Sequence, residues 1–128
     1  MSQNIIFEYY SIIRNKISQL QFNSALNSIN KLLFAYPSDE VAYYYRGVCE
    51  YALNKHHQAI KSYSMAIKIN PAYAKAYYNL GATYFALQNF DLALINIGKA
   101  LVIFSMKKEQ NEKYRCIEAL KLIQRKRG

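Results

Sequence analysis

Between Ala42 and Ile103 the chain writes one pattern twice, 34 positions apart. Tyr43 returns as Tyr77, Gly47 as Gly81, Ala59 as Ala93 and Ala66 as Ala100. A fixed period of this size means stacked structural units, and it constrains the fold more than any local propensity. Moving the frame back by the same interval sets Tyr9 under Tyr43, Ala25 under Ala59, Ile29 under Tyr63 and Pro37 under Pro71. Ile13 then stands where the glycine should be. The first 37 residues are a degenerate copy of the same unit.

Each unit reads as two helices. Ile5, Tyr9, Ile12, Ile13 and Ile17 fall at helical spacing, so a helix is expected over 4–19. Others are expected at about 23–36, up to Leu53, at 57–69, at 72–87 and at 91–104. Pro37 and Pro71 stop the second helix of their copies, since proline lacks the amide donor. Ser38 or Asp39 is placed to cap the third helix, and Asp91 the sixth. A last amphipathic helix, about 108–125, sets Tyr114, Ile117, Leu120 and Ile123 on its dry side. Glu112, Arg115, Glu118 and Lys121 take the wet side, and Glu109 and Lys113 form an i,i+4 pair. The fold class is therefore all-α, with about seven antiparallel helices.

A glycine in mid-helix costs about 1 kcal/mol relative to alanine. The same cost at Gly47 and Gly81 calls for close approach by another helix. A helix pair with apolar surface on more than one side cannot hide it alone, so neighbours must stack. At 128 residues the chain has room for a real core without metals or crosslinks. Cys49 and Cys116 lie among apolar neighbours with no metal-ligand spacing and read as small buried hydrophobes. No run approaches the roughly 18 apolar residues that span a bilayer, and Ile5-Ile6-Phe7-Glu8 is no secretory signal. A soluble intracellular protein is expected, of cytoplasm or organelle stroma. Abundant Ile, Asn, Lys and Tyr point to an AT-rich genome.

These residues resemble the tetratricopeptide repeat (TPR) family, whose helix-turn-helix unit has this length. Tyr43 matches the family aromatic, Arg46 and Leu80 the leucine, and Gly47 and Gly81 the glycine. Tyr84, Ala59 and Ala93, Tyr63 and Ile97, and Pro71 take the remaining slots. The resemblance implies a right-handed superhelix in one domain, 1–128, with repeats at about 6–39, 40–73 and 74–107 and a capping helix at about 108–125. The departures are Ile13 for glycine in the first repeat, Glu50 for the second aromatic in the second, and Ser105 for proline in the third.

The resemblance also implies a concave groove, lined by the first helix of each repeat, that receives a peptide or helix of a partner protein. The inward positions are Tyr10, Arg14, Tyr44, Tyr45, Val48, Tyr51, Lys75, Tyr78, Asn79 and Phe85. Tyr43 and Tyr77 are expected in the core. Tyr44, Tyr45 and Tyr78 are extra aromatics that no packing rule requires, and tyrosine offers large contact area at low entropic cost. The two-carboxylate clamp of some members maps to Tyr10, Arg14, Tyr45, Lys75 and Asn79. Only Lys75 matches, so no clamp is expected.

Catalysis has little support. His56 and His57 diverge by about 100° on a helix and have no nucleophile or metal-spaced partner. No cofactor, metal or small-molecule substrate is called for. The net charge of +9 is uneven, with +2 in residues 1–64 and +7 in residues 65–128. Lys107, Lys108, Lys113, Arg115, Lys121, Arg125, Lys126 and Arg127 form a basic C-terminal patch. It is either a solvated face or an alternative site for nucleic acid or an anionic membrane surface. Self-association into a homo-oligomer through an uncapped end is a further reading.

Overall fold

The computed structural model describes residues 3–128. Seven α-helices and no strand occur among the described residues: α1 Gln3–Ser18, α2 Phe22–Ala35, α3 Glu40–Ala52, α4 His56–Ile69, α5 Ala74–Ala86, α6 Phe90–Met106 and α7 Gln110–Arg127. They fall into two compact units, Met1–Ile69 and Asn70–Gly128. In the first, α1 packs on α2, α2 on α3 and α3 on α4; in the second, α5 packs on α6 and α6 on α7.

The period is written in the backbone as well as in the side chains. Leu20, Asn54 and Gln88 stand 34 residues apart in the turns inside each helix pair, and all three adopt left-handed φ values of 61°, 63° and 61°. The amide one residue later reaches back to the helix: Gln21 N to Lys16 O, Lys55 N to Glu50 O and Asn89 N to Tyr84 O, at 2.8, 2.8 and 2.9 Å. This is the Schellman arrangement, which satisfies carbonyls that the helix end would leave orphaned. Asparagine tolerates the left-handed region; leucine does so only at a cost.

The connections between pairs differ. Asp39 caps α3 by accepting from Ala42 N at 2.8 Å, as expected of that residue. For α6 the cap is Asn89, whose side chain accepts from Leu92 N at 3.3 Å. Asp91 lies two residues past the cap, inside the first turn of α6, and instead meets Arg127 at 3.2 Å. α5 begins at Ala74, not Ala72, because Asn70 Oδ1 accepts the Ala72 amide at 3.2 Å in a turn. α6 runs past the expected end at Phe104. Ser105 has the amide that proline lacks, and its hydroxyl folds back on Leu101 O at 2.7 Å.

The glycines do what their position requires. A Cβ on Gly47 would lie 2.6 Å from the Tyr63 ring, and one on Gly81 2.5 Å from Ile97 Cγ1 and 3.1 Å from Ala93 O. Tyr63 and Ile97 are buried in consequence. The first unit has a core of Ile13, Ala25, Ile29, Leu32, Ala42 and Cys49. The second has Ala74, Ala93, Ile97, Ala100 and Phe104, closed by Cys116 and Ile123 from α7. On that last helix Tyr114 departs from expectation. It is 69% exposed, because Cys116, Ala119, Leu120 and Ile123 already make the contact with the core. Glu109 and Lys113 form no ion pair; the pair on α7 is Glu118 with Lys121, at 3.4 Å.

Three outcomes follow from these contacts. Gly47→Ala should destabilise by about 1–3 kcal/mol through overpacking, whereas Gly98→Ala, with nothing within 4 Å of the new Cβ, should be neutral or stabilising by up to about 1 kcal/mol. Urea unfolding of both variants measures the contrast. Leu20→Asn should stabilise by about 1 kcal/mol, since the exposed leucine loses no packing and the left-handed backbone costs it about 1–2 kcal/mol.

Burial, with Glu50 beside it, pushes the Cys49 thiol from 9.0 up to about 12. Burial likewise raises Cys116 to about 11, Glu112 adding and Arg115 opposing. The folded chain therefore keeps protons that the unfolded chain releases above its ordinary thiol range. Stability from this source is fully present below about pH 9 and is lost as the pH climbs through the folded values. Urea midpoints compared with those of a Cys49→Ala, Cys116→Ala variant should show the difference narrowing in that window.

Candidate functional site

The candidate residues fall on α1 and α3 in the first unit and on α5 in the second. On α1 and α3 the rings form a connected run. Phe7 lies 6.1 Å from Tyr10, Tyr10 6.3 Å from Tyr45 edge-on, and Tyr45 5.7 Å from Tyr44. Tyr44 in turn lies 6.0 Å from Tyr63, the ring that Gly47 admits. Tilted and edge-to-face pairs at these separations are favourable beyond their buried area. Tyr44 and Tyr45 are thus not the unsupported extra aromatics that the sequence implied. Tyr45 also packs on the core of its unit, because neighbouring positions on α3 face two different surfaces, Tyr63 and α1.

Polar contacts fix the run. Tyr10 donates its hydroxyl to Asp39 Oδ2 at 2.6 Å, tying α1 to the cap of α3. Arg14 Nη1 donates to the Tyr45 hydroxyl at 3.5 Å, and Arg14 remains exposed. Val48 is half-buried, and Tyr51, farther along α3, is exposed with its ring 5.0 Å from His56. Beside the run, Phe7, Tyr10, Tyr36, Pro37, Asp39 and Glu40 line an open cleft of about 460 Å³, a size that accepts a side chain or small ligand. Phe7 is the residue that the sequence reading missed. Its spacing to Tyr10 and Arg14, three and seven residues, would have placed it on their face.

On α5, Lys75 is exposed, Asn79 half-buried, and Phe85 packs 5.7 Å from Phe90. Tyr78 is half-buried against the second core. Burial raises its hydroxyl pKa, Cys116 adding and Arg115 opposing, so this ring serves packing near α7. Tyr43 and Tyr77 are both half-buried, and Tyr77 packs against the second core. The Tyr43 hydroxyl donates to Pro37 O at 3.0 Å, and Arg46 lies 4.9 Å over its ring. Lys99 lies 5.8 Å from the centroid of Tyr77.

Two departures from the repeat pattern turn out to be one exchange. Arg46 Nε donates to Ser62 Oγ at 2.9 Å, and Ser62 donates to Glu50 Oε1 at 2.5 Å. Arginine in the leucine slot and glutamate in the aromatic slot are joined through a buried serine of α4. Neither alone would have satisfied its polar atoms there.

The basic residues belong to α7 and the turn before it. Lys107, Lys108, Arg115, Lys121, Arg125, Lys126 and Arg127 are exposed, and Lys113 is half-buried. Lys121 and Arg127 are engaged by Glu118 and Asp91. Among the described residues no group of three His, Cys, Asp or Glu could hold a metal ion, and no helix is long and apolar enough to cross a membrane.

The family model for the TPR repeat matches residues 47–88, which run from the glycine of the second copy into the third. Within that stretch the chain carries the TPR repeat. Its all-α helical-repeat fold is shared with solved TPR structures over nearly the whole length. PcrH in complex with the chaperone binding region of PopD superimposes with a TM-score of 0.92, at 16% identity, over 100% of this chain and 97% of that one. The Yersinia enterocolitica type III secretion chaperone SycD, in complex with a peptide of the translocator YopD, gives 0.89 at 18% over 99% and 98%. The TPR2B domain of yeast Sti1, in a pHsp70 complex, gives 0.87 at 15% over 93% and 95%. In sequence, the heat shock protein STI1 of Saccharomyces cerevisiae is 34% identical over 74 residues, 58% of this chain. This chain spans only 13% of that relative's length.

The serine bridge carries a prediction. Ser62→Ala should cost about 1–3 kcal/mol by leaving Arg46 and Glu50 without their shared partner. Combining it with Arg46→Leu and Glu50→Leu should recover most of the loss, since a polar network replaced whole is often neutral. Urea unfolding of the single and triple variants decides it.

Proposed function

We propose that this TPR chain is a non-enzymatic protein-interaction module, an adaptor, co-chaperone or complex-assembly factor that holds an extended peptide or a helix of a partner. Its repeats run over about 6–39, 40–73 and 74–107 in a single domain closed by α7. It works as a soluble protein of the cytoplasm or an organelle stroma. The observation that carries the reading is the run of part-exposed rings on α1 and α3, with exposed Arg14 beside it and the cleft under Phe7 next to it. Rings held by one another and by Asp39 lose little entropy on binding, so the face is preorganised. The partner segment should be apolar or aromatic with some acidic character, to match Arg14 there; Lys75 on α5 offers the same charge in the second unit. Val48 and Tyr51 in the first unit, and Tyr78, Asn79 and Phe85 in the second, are further proposed contacts.

Peptide complexes of PcrH, SycD and the Sti1 TPR2B domain support this reading, as does the segment of sequence shared with STI1. The basic residues of α7 serve to solvate the closing helix. Two of them already have carboxylate partners, and their inner neighbours Cys116 and Ile123 bind the core. Nucleic acid or an anionic membrane is therefore the weaker alternative.

The test is an array of apolar–acidic peptides probed with the wild-type chain and with variants. Arg14→Glu should weaken capture about tenfold, the equivalent of about 1.4 kcal/mol, without loss of helicity. Substituting Tyr44, Tyr45 and Tyr78 by Ala should abolish it. Because those rings also pack, circular dichroism must show helices retained. A peptide ending in Glu-Glu-Val-Asp should bind no better than its C-terminal amide. Capture that survives both Arg14→Glu and the triple change would refute the reading.

A further inference from the structure

The outer side of α6 is built unlike that of its counterparts. Leu92, Ile95, Val102 and Met106 are 37%, 51%, 58% and 78% exposed. With exposed Lys99 among them, they follow one another at intervals of three, four, three and four residues. That is the spacing of a coiled-coil seam, the one face of a helix that a second helix can follow over several turns. The repeat supplies an internal control. Thirty-four positions earlier, α4 carries Gln58, Lys61, Met65 and Lys68 at the places of Leu92, Ile95, Lys99 and Val102, all of them exposed. Folding thus asks for nothing apolar here. Where α4 has one methionine among polar residues, α6 has one lysine among apolar ones.

We propose that the outer face of α6 docks an amphipathic helix of a partner protein, one with apolar residues in heptad spacing and an acidic residue facing Lys99. Charge selects this occupant. Asp91, at the start of the seam, is already held by Arg127 at 3.2 Å, so the charges on offer to a partner are those of Lys99, whose ammonium also lies 5.8 Å from the Tyr77 centroid, and of Lys107 and Lys108 at the far end. A lysine at a single seam position specifies its partner at a cost in stability. A second copy of this chain fits badly. Lys99 lies midway between Leu92 and Met106, so antiparallel pairing about a two-fold axis sets it against itself, as does parallel pairing in register. Four part-exposed side chains also fall well short of the roughly 800 Å² per partner of a standard interface, whereas they suffice as anchors for one helix. The surface lies on α6 and is independent of the rings on α1 and α3.

The test uses the full chain and a fluorescent synthetic peptide of about three heptads, with Leu at the seam, Glu on both flanks and one central seam Glu. Anisotropy should show saturable binding. Val102→Glu and Lys99→Glu should each weaken it about tenfold or more, equivalent to about 1.4 kcal/mol. A peptide carrying Lys for the central Glu should regain affinity for Lys99→Glu and bind wild type poorly. Arg14→Glu should leave the peptide's affinity unchanged, which separates this surface from the proposed peptide face. Absence of binding, equal binding by wild type and both variants, or no exchange of preference with the Lys peptide would overturn the proposal. Light scattering that shows wild type self-associating, and Val102→Glu not, would overturn it in favour of a second copy.

Discussion

Where α3 crosses α4, the Tyr63 ring lies so close to Gly47 that one added carbon would sit 2.6 Å from it. A mid-helix glycine costs about 1 kcal/mol in helix propensity. Here it lets a large ring become 2% exposed and fixes how closely the two helices approach. α5 and α6 repeat the contact with Ile97 against Gly81. The first copy fills the corresponding places with Ile13 and Ile29, both fully buried in one core. Side-chain volume at this crossing sets the geometry of each pair.

What lies above the crossing depends on it. Tyr63 supports Tyr44, Tyr44 meets Tyr45, and Tyr45 meets Tyr10. The candidate binding face is therefore the top of a stack that begins at a glycine. The Arg46–Ser62–Glu50 bridge joins the same two helices through polar atoms. It shows how the second repeat accepts two residues foreign to the family pattern. A dry crossing and a buried polar bridge restrict the pair more tightly than either would alone, because polar atoms must be satisfied in one register.

The architecture was legible because two periods agreed: 34 residues between copies and the helical spacing within them. Helix ends were read to within a few residues wherever proline or an aspartate cap marked them. They went astray where the deciding atom was local. Ser105 extends α6 because it keeps an amide, and Asn70 delays α5 by a side-chain turn. Leu20 adopts a left-handed conformation that its residue type argues against, for the Schellman bonds decide it. The candidate site was legible as a set of positions but not as a set of roles. Tyr44 and Tyr78 looked unsupported because the sequence does not say which rings or helices lie across from them. Phe7 was overlooked because it precedes the first clear repeat residue. The α6 seam was hidden among residues that all read as helix core, and only their exposure separates Leu92, Ile95, Val102 and Met106 from Ala93, Ile97 and Ala100.

If the ring and the glycine form one unit on which the binding face stands, their energies cannot be independent. A double-mutant cycle on Gly47→Ala and Tyr63→Ala, followed by urea unfolding, measures this most directly. The account predicts that Gly47→Ala loses most of its cost once the ring is gone, a coupling clearly above the ~0.5 kcal/mol scatter of independent sites. Additive effects would contradict it.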